Sequence, residues 1–186
     1  MDLQIDIGTG DGKRVLRGAR AEPRRFHIGI DSNADGMREV SRKAVRGDVG
    51  NLLFVRAAAE ALPEELAGLA TSLTILLPWG SLLRAVAGPE AAVLAGVRRL
   101  AAPRAALLVV MGYDADRDPT TAETLPPLTR ERLVGEVVPA YREAGFAMRA
   151  APVTLADLRD LGTTWASRLA FGRERSFWQL SGRALT

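Results

Sequence analysis

The sequence predicts an α/β fold: a doubly wound, mostly parallel sheet with helices on both faces and one antiparallel strand. Short apolar runs alternate with helical periodicities along most of the chain, the pattern that βα repetition leaves in a sequence. The first of those runs ends in glycines at every second position, Gly8, Gly10 and Gly12. The last strand pattern follows its neighbour without a crossover helix of full length, so the end of the chain reads as hairpin-like and antiparallel.

Strand one is Leu3–Ile7, and a helix runs from Asp11 to about Ala21. Between them, Ile5-Asp6-Ile7-Gly8-Thr9-Gly10-Asp11-Gly12 forms a strand–turn–helix unit. Glycine accepts backbone angles closed to other residues and lets a ligand approach the main chain. In a doubly wound sheet such a turn cradles a nucleotide-like ligand at the strand's carboxyl end. A ligand-free β-to-α turn is the alternative. Arg24–Ile30 is the second strand and ends at Asp31, which lies 19 residues after Gly12. An acid at ~20 residues' spacing grips a ribose diol in this fold; it could instead cap the helix predicted over Asn33–Arg46.

Asn51–Arg56 is the third strand, followed by Ala57-Ala58-Ala59-Glu60-Ala61-Leu62-Pro63. Small residues there leave room for a flat ring. Glu60 is placed to accept from a sugar or an amino group, or else is a solvated acid before a helix. Leu73–Leu77 is the fourth strand and closes in Pro78-Trp79-Gly80-Ser81. Trp79 reads either as a lid over the core or as a stacking platform at a pocket mouth. A helix over Leu82–Leu100 and a strand over Ala105–Met111 follow. Tyr113–Pro127 reads as a loop, Leu128–Ala144 as a helix stopped by Gly145, and Phe146–Val153 as strand six. Leu155–Leu161 is a helical turn and Ser176–Ser181 the final strand.

At 186 residues the chain is expected to form a single domain, residues 1–186, around one core. No apolar run approaches the ~20 residues of a membrane span, and no basic-then-apolar leader is visible at the N-terminus. These features point to a cytoplasmic protein without membrane contact. Cysteine is absent and His27 is the single histidine. Disulfides and Cys-ligated metals are thereby excluded, and a single histidine argues against a His-based metal cluster or a Ser-His-Asp triad, so no metal is expected. The net charge is only +3, but 23 of the 25 basic residues are arginine, whose fork binds phosphate bidentately and stacks on bases.

The late stretch from Thr164 to Trp178 holds Arg168, Arg173 and Arg175 among Trp165, Phe171, Phe177 and Trp178. Aromatic faces that stack on bases, interleaved with arginines that neutralise phosphates, form a grip for unpaired nucleotides. Phe177 is better explained as the core of the last strand. Trp165, in a polar linker, is a candidate functional side chain.

The run Asp6–Gly12, with Gly29-Ile30-Asp31 and Ala59-Glu60-Ala61-Leu62-Pro63, resembles a class I S-adenosylmethionine-dependent methyltransferase. Leu77-Pro78-Trp79-Gly80-Ser81-Leu82-Leu83 and Trp165-Ala166-Ser167-Arg168-Leu169 narrow the likeness to the aminoglycoside-resistance methyltransferases that modify N1 of adenine-1408 in 16S ribosomal RNA. It covers essentially the whole chain. The resemblance implies a Rossmann-like sheet of seven strands. It places Asp6, Gly8, Thr9, Gly10, Asp31, Ala59, Glu60 and Leu77 around S-adenosyl-L-methionine. It implies that Trp79 and Trp165 sandwich a flipped adenine, with Ser81 nearby. Arg42, Lys43 and Arg46, with Arg168, Arg173 and Arg175, would contact the RNA of the 30S subunit. Two features depart from the family. Its members carry a segment ahead of the glycine strand, which Met1 here almost abuts, and the linker Arg46-Gly47-Asp48-Val49-Gly50 is short and holds an acid.

The residue inventory suits such chemistry. Adenine N1 carries an in-plane lone pair and a sulfonium is already a good leaving group, so positioning can dominate catalysis. One base site and one cofactor site require only a monomer. A methyltransferase acting on another RNA base or a small molecule remains the nearest alternative. A nicotinamide oxidoreductase would show Gly-x-Gly-x-x-Gly and a proton-transfer residue, and a non-catalytic RNA-binding protein would need no glycine cradle.

Overall fold

The computed structural model describes residues 2–113, 125–163 and 176–186. Trp165, Arg168, Arg173 and Arg175 lie outside the described residues, as does most of the expected loop over Tyr113–Pro127. Seven strands form one sheet in the order β3-β2-β1-β4-β5-β7-β6: β1 (Leu3–Ile7), β2 (Phe26–Asp31), β3 (Leu52–Arg56), β4 (Ala70–Leu76), β5 (Ala101–Met111), β6 (Phe146–Val153) and β7 (Phe177–Ala184). The strands β1 to β5 pair in parallel. β7 runs antiparallel to both β5 and β6, the single reversed strand that the sequence pattern predicts.

The helices are α1 (Lys13–Ala21), α2 (Ala34–Arg46), α3 (Gly80–Ala87) and α4 (Ala91–Leu100). α5 joins Arg130–Arg132, a π-helical turn Leu133–Val137 and Val138–Glu143, and α6 is Leu155–Asp160. The π turn precedes Pro139, which has no N–H for the ladder and whose ring would crowd the carbonyl four residues back. α2 is capped by Asn33, whose side chain accepts from the Asp35 N–H. Thr154 and Asp157 close a capping box on α6.

The central strands are buried on both faces, because helices cover each side. Ile5, Leu73, Val109 and Leu180 are fully buried, with Leu83, Leu94, Leu100, Tyr141 and Phe146 packed on them. Tyr141 donates to the Val86 carbonyl at 3.3 Å. Arg132 ties several segments together: it donates to the Tyr113 hydroxyl at 2.9 Å, to the Ala87 carbonyl at 2.5 Å and to Glu136.

One helix expected over Leu82–Leu100 is in fact two. Gly88 ends α3 by donating to the Arg84 carbonyl at 2.7 Å, and Pro89 offers no donor to continue it. The strand expected over Ala105–Met111 also begins earlier, at Ala101, because α4 leads directly into β5. Pro103 and the left-handed Arg104 (φ 62°) interrupt the stretch before Ala105, and the register against β4 shifts there.

Candidate active site

Strand order places the site. The chain leaves β1 toward β2 on one side, while β4 lies on the other. Ligands in open α/β sheets bind outside the carboxyl ends of the strands at such a reversal. A cavity of about 440 Å³ opens there, lined by the ends of β1, β2 and β4 and by the segments that follow β1, β2, β3 and β4.

The glycine turn forms its floor. Gly8, Gly10 and Gly12 have φ of 75°, 61° and 70°, the left-handed region that side chains rarely tolerate. The Gly8 and Thr9 N–H groups both donate to the Ile30 carbonyl, at 2.8 and 3.0 Å, which docks the turn onto β2. A Cβ on Gly8 would lie 2.5 Å from Leu82, and one on Gly12 would lie 2.5 Å from Phe54. At Gly10 the same atom would meet open space, so backbone geometry and room for a ligand are what this position requires.

Asp31 ends β2. One carboxylate oxygen accepts from the Gly10 N–H at 2.8 Å and the other from the Asn33 N–H at 2.8 Å. The acid therefore holds the turn and does not cap α2, a task that Asn33 performs. A carboxylate has about four lone-pair sites, so capacity remains for hydroxyls in the cavity. Glu60 stands exposed on the short turn Ala59–Ala61 and lines the same cavity with Ala57, Ala58 and Ala59.

Asp6 is the buried acid of the site, at 4% exposure. The Thr74 hydroxyl donates to its Oδ1, and Arg14 Nη1 reaches that oxygen at 3.4 Å and the Thr74 hydroxyl at 3.5 Å. Burial pushes the carboxyl above its usual range, while Arg14 and the hydroxyls of Thr74 and Thr9 pull it back. The Thr9 hydroxyl lies close enough to favour the anion, although it reaches no partner in good hydrogen-bonding geometry.

The far wall comes from the end of β4. Leu77 takes a left-handed conformation, φ 51°, and its N–H still bonds the Val110 carbonyl at 2.7 Å. Such strain in a non-glycine residue is held only where surrounding structure fixes it. The turn throws Pro78 inward and Trp79 outward: Pro78 is buried and Trp79 is 47% exposed at the start of α3. Trp79 and Ser81 both line the cavity.

Thus Asp6, Gly8, Thr9, Gly10, Asp31, Ala59, Glu60, Leu77, Trp79 and Ser81 converge on one cavity. Arg42, Lys43 and Arg46 do not line it. They stand exposed in the last turns of α2, about 12 to 18 Å of helical rise from its start at the carboxyl edge of β2. Lys43 pairs with Glu39 at 2.5 Å. Sequence reasoning missed Arg14 and Thr163, which also line the cavity. Arg14 stands on the first turn of α1, two residues after Gly12, and in sequence it is indistinguishable from a surface arginine. Thr163 comes from a distant part of the chain, and no local signal marks it.

A glycine turn, an acid at the end of β2 that faces the cavity and an antiparallel β7 between β5 and β6 define a class I S-adenosylmethionine-dependent methyltransferase. The profile of NpmA, 16S rRNA (adenine(1408)-N(1))-methyltransferase, matches residues 1–184. The chain belongs to this family of 16S rRNA (adenine(1408)-N(1))-methyltransferases. An Escherichia coli protein of that name is 36% identical over 190 residues, covering 97% of this chain and 86% of the relative. One from Streptoalloteichus tenebrarius is 36% identical over 188 residues, covering 94% and 83%. The crystal structure of the aminoglycoside resistance methyltransferase NpmB1 is 42% identical, with a TM-score of 0.84 over 99% of this chain and 87% of its own. A tryptophan-to-alanine mutant of the Catenulisporales acidiphilia enzyme, solved with cosubstrate SAM, is 32% identical, with a TM-score of 0.86 over 100% and 86% of the two chains.

S-adenosylmethionine is the cofactor of this family's chemistry, and the cavity fits it. Asp31 and Glu60 offer acceptors for ribose hydroxyls. The alanines after β3 and the apolar Leu76 and Leu77 offer surfaces for a flat ring, and Asp6 with Arg14 offers both charges for an amino-acid end.

Proposed function

We propose that this protein transfers the methyl group of S-adenosylmethionine to N1 of adenine-1408 in 16S ribosomal RNA of the 30S subunit, so conferring aminoglycoside resistance. The observation that carries the proposal is the meeting of the glycine turn, Asp31, Glu60 and the half-exposed Trp79 around one cavity. When bound, the cofactor supplies an electrophilic methyl on a sulfonium. Asp6, Gly8, Thr9, Gly10, Asp31, Ala59, Glu60 and Leu77 hold it. Trp79, with Ser81 beside it, presents a stacking face at the mouth, and Trp165 supplies the second face.

N1 is occupied in a paired base, so the adenine must leave its stack, at a few kcal/mol. Base–aromatic stacking at ~1–3 kcal/mol for each face offsets that. N1 enters with its lone pair free, so no side chain has to take a proton before attack. Catalysis then rests on alignment and exclusion of water, worth roughly 7–11 kcal/mol. Arg168, Arg173 and Arg175 act on the RNA backbone near the base. Arg42, Lys43 and Arg46 make a more remote phosphate contact, which positions the enzyme without reading sequence. The chain works as one domain and a monomer in the cytoplasm; among the described residues no helix is long and apolar enough to cross a membrane.

Tritiated cofactor incubated with purified 30S subunits, followed by primer extension, tests the proposal. It expects label in 16S ribosomal RNA and a stop at adenine-1408. Label at another base, or in no RNA, would overturn it.

A further inference from the structure

Two charged groups of opposite sign meet in the cavity lining, the buried Asp6 and the part-buried Arg14. Asp6 sits at the end of β1, in register with Thr74 of β4. Arg14 reaches over it from the first turn of α1, its side chain 24% exposed. The contact leaves much of both groups' capacity unused. Every hydrogen bond described for Asp6 falls on Oδ1, and every one described for Arg14 comes from Nη1. A guanidinium carries five donors in a rigid fork, so Nε and Nη2 remain for a second anion. At 3.4 Å the ion pair is also longer than a well-formed charge-assisted bond, ~2.7–2.9 Å.

The sheet fixes how these charges face a ligand. Asp31 lies at the end of β2, on one side of β1, and Trp79 follows β4, on the other. A cofactor whose ribose meets Asp31 therefore has its amino-acid end beside Asp6 and Arg14. That end is a zwitterion, with an α-ammonium and an α-carboxylate. Asp6 is restricted to the ammonium. Within the described lining of the cavity, the only cations are Arg14 and Lys13, and the Lys13 ammonium is held by Asp11 at 2.8 Å.

We propose that Arg14 is the receptor for the cofactor's α-carboxylate, acting with Asp6 as a two-charge clamp on the amino-acid end. This rests on the cofactor site proposed above. The Asp6–Arg14 pair holds the two charges in place before the ligand arrives, and the zwitterion then binds between them. Arg14 thereby sets the discrimination between the intact cofactor and analogues without a carboxylate.

Calorimetry on the full chain tests this with two probes: S-adenosylhomocysteine, and its descarboxy analogue, in which an aminopropyl chain replaces the aminocarboxypropyl chain on the same sulfur. Wild-type protein is expected to bind the carboxylated compound about tenfold more tightly, the scale of one charge-assisted hydrogen-bonded pair. In Arg14→Gln the two affinities converge because only the carboxylated compound weakens. In Arg14→Lys, which keeps the charge without the fork, the preference is partly restored. If Arg14 merely braces Asp6, both probes weaken equally in Arg14→Gln, and the proposal is overturned. Equal affinities in the wild-type protein also overturn it, without recourse to any variant. Failure of the site itself looks different: wild-type protein would then bind neither compound.

Discussion

Three side chains have separable roles, Trp79 and Asp31 at the cavity and His27 in the interior. Trp79 is half-exposed beside the cavity with no part in its floor. Trp79→Ala is expected to abolish methylation while leaving cofactor affinity within a few fold; normal turnover by this variant would remove the stacking platform from the account. Asp31 bonds two backbone N–H groups and faces the cavity. Hydrogen bonds to a charged group contribute ~1.5–3 kcal/mol, so Asp31→Ala should weaken cofactor binding by roughly tenfold or more, read by calorimetry. His27 is buried at 1% exposure and its Nε2 has no partner. Burial lowers its pKa below 6.5, Glu22 opposes the shift, and Arg25 and Arg14 add to it. The neutral ring is therefore favoured in the folded state. Its contribution is fully present above pH 6.5 and is lost as pH falls toward the depressed folded pKa. Urea midpoints should fall as pH drops below 6.5 in the wild-type protein and fall less in His27→Gln.

Elements set where those side chains stand. The glycine turn contributes through its backbone more than through any side chain. Gly8→Ala forces a left-handed alanine, at ~1–2 kcal/mol, and drives a methyl into Leu82, which lines the cavity. A lower melting temperature together with weaker cofactor binding is expected; an unchanged protein would show that the turn is more pliable than its contacts indicate. The element boundaries show how local signals compete. β1 and β6 have the bounds that alternation and flanking turns predict. The long helical pattern after Ser81 hid a break, because Val86 and Leu94 face the core on both sides of Gly88 and Pro89. Periodicity continued where the hydrogen-bond ladder did not. Arg104 and the register shift in β5 carry no sequence signal, since they answer to pairing with β4.

At the scale of the whole molecule, a mostly parallel sheet with one reversed strand was legible because βα alternation with a short last connection leaves that pattern, whereas the strand order comes from the structure. The cavity was legible where its residues lie in motifs: the glycine run, Asp31 at the end of β2, and the Pro78-Trp79-Gly80 turn. Thr163 was not, since its place depends on where β6 and α6 return the chain. Arg14 was missed for a different reason, because an arginine in a helix facing the sheet's edge looks in sequence like any surface arginine. The two arms of the proposed grip on RNA meet only at this scale. The proposed base site is at the carboxyl edge of the sheet, and the basic last turns of α2 stand well away from it, an arrangement that suits docking on a large folded RNA. The central claim is the modified atom. Primer extension on 16S ribosomal RNA from 30S subunits treated with this protein and S-adenosylmethionine should stop at adenine-1408 with the wild-type chain and read through with Trp79→Ala. A wild-type stop elsewhere, or an undiminished stop with the variant, would contradict it.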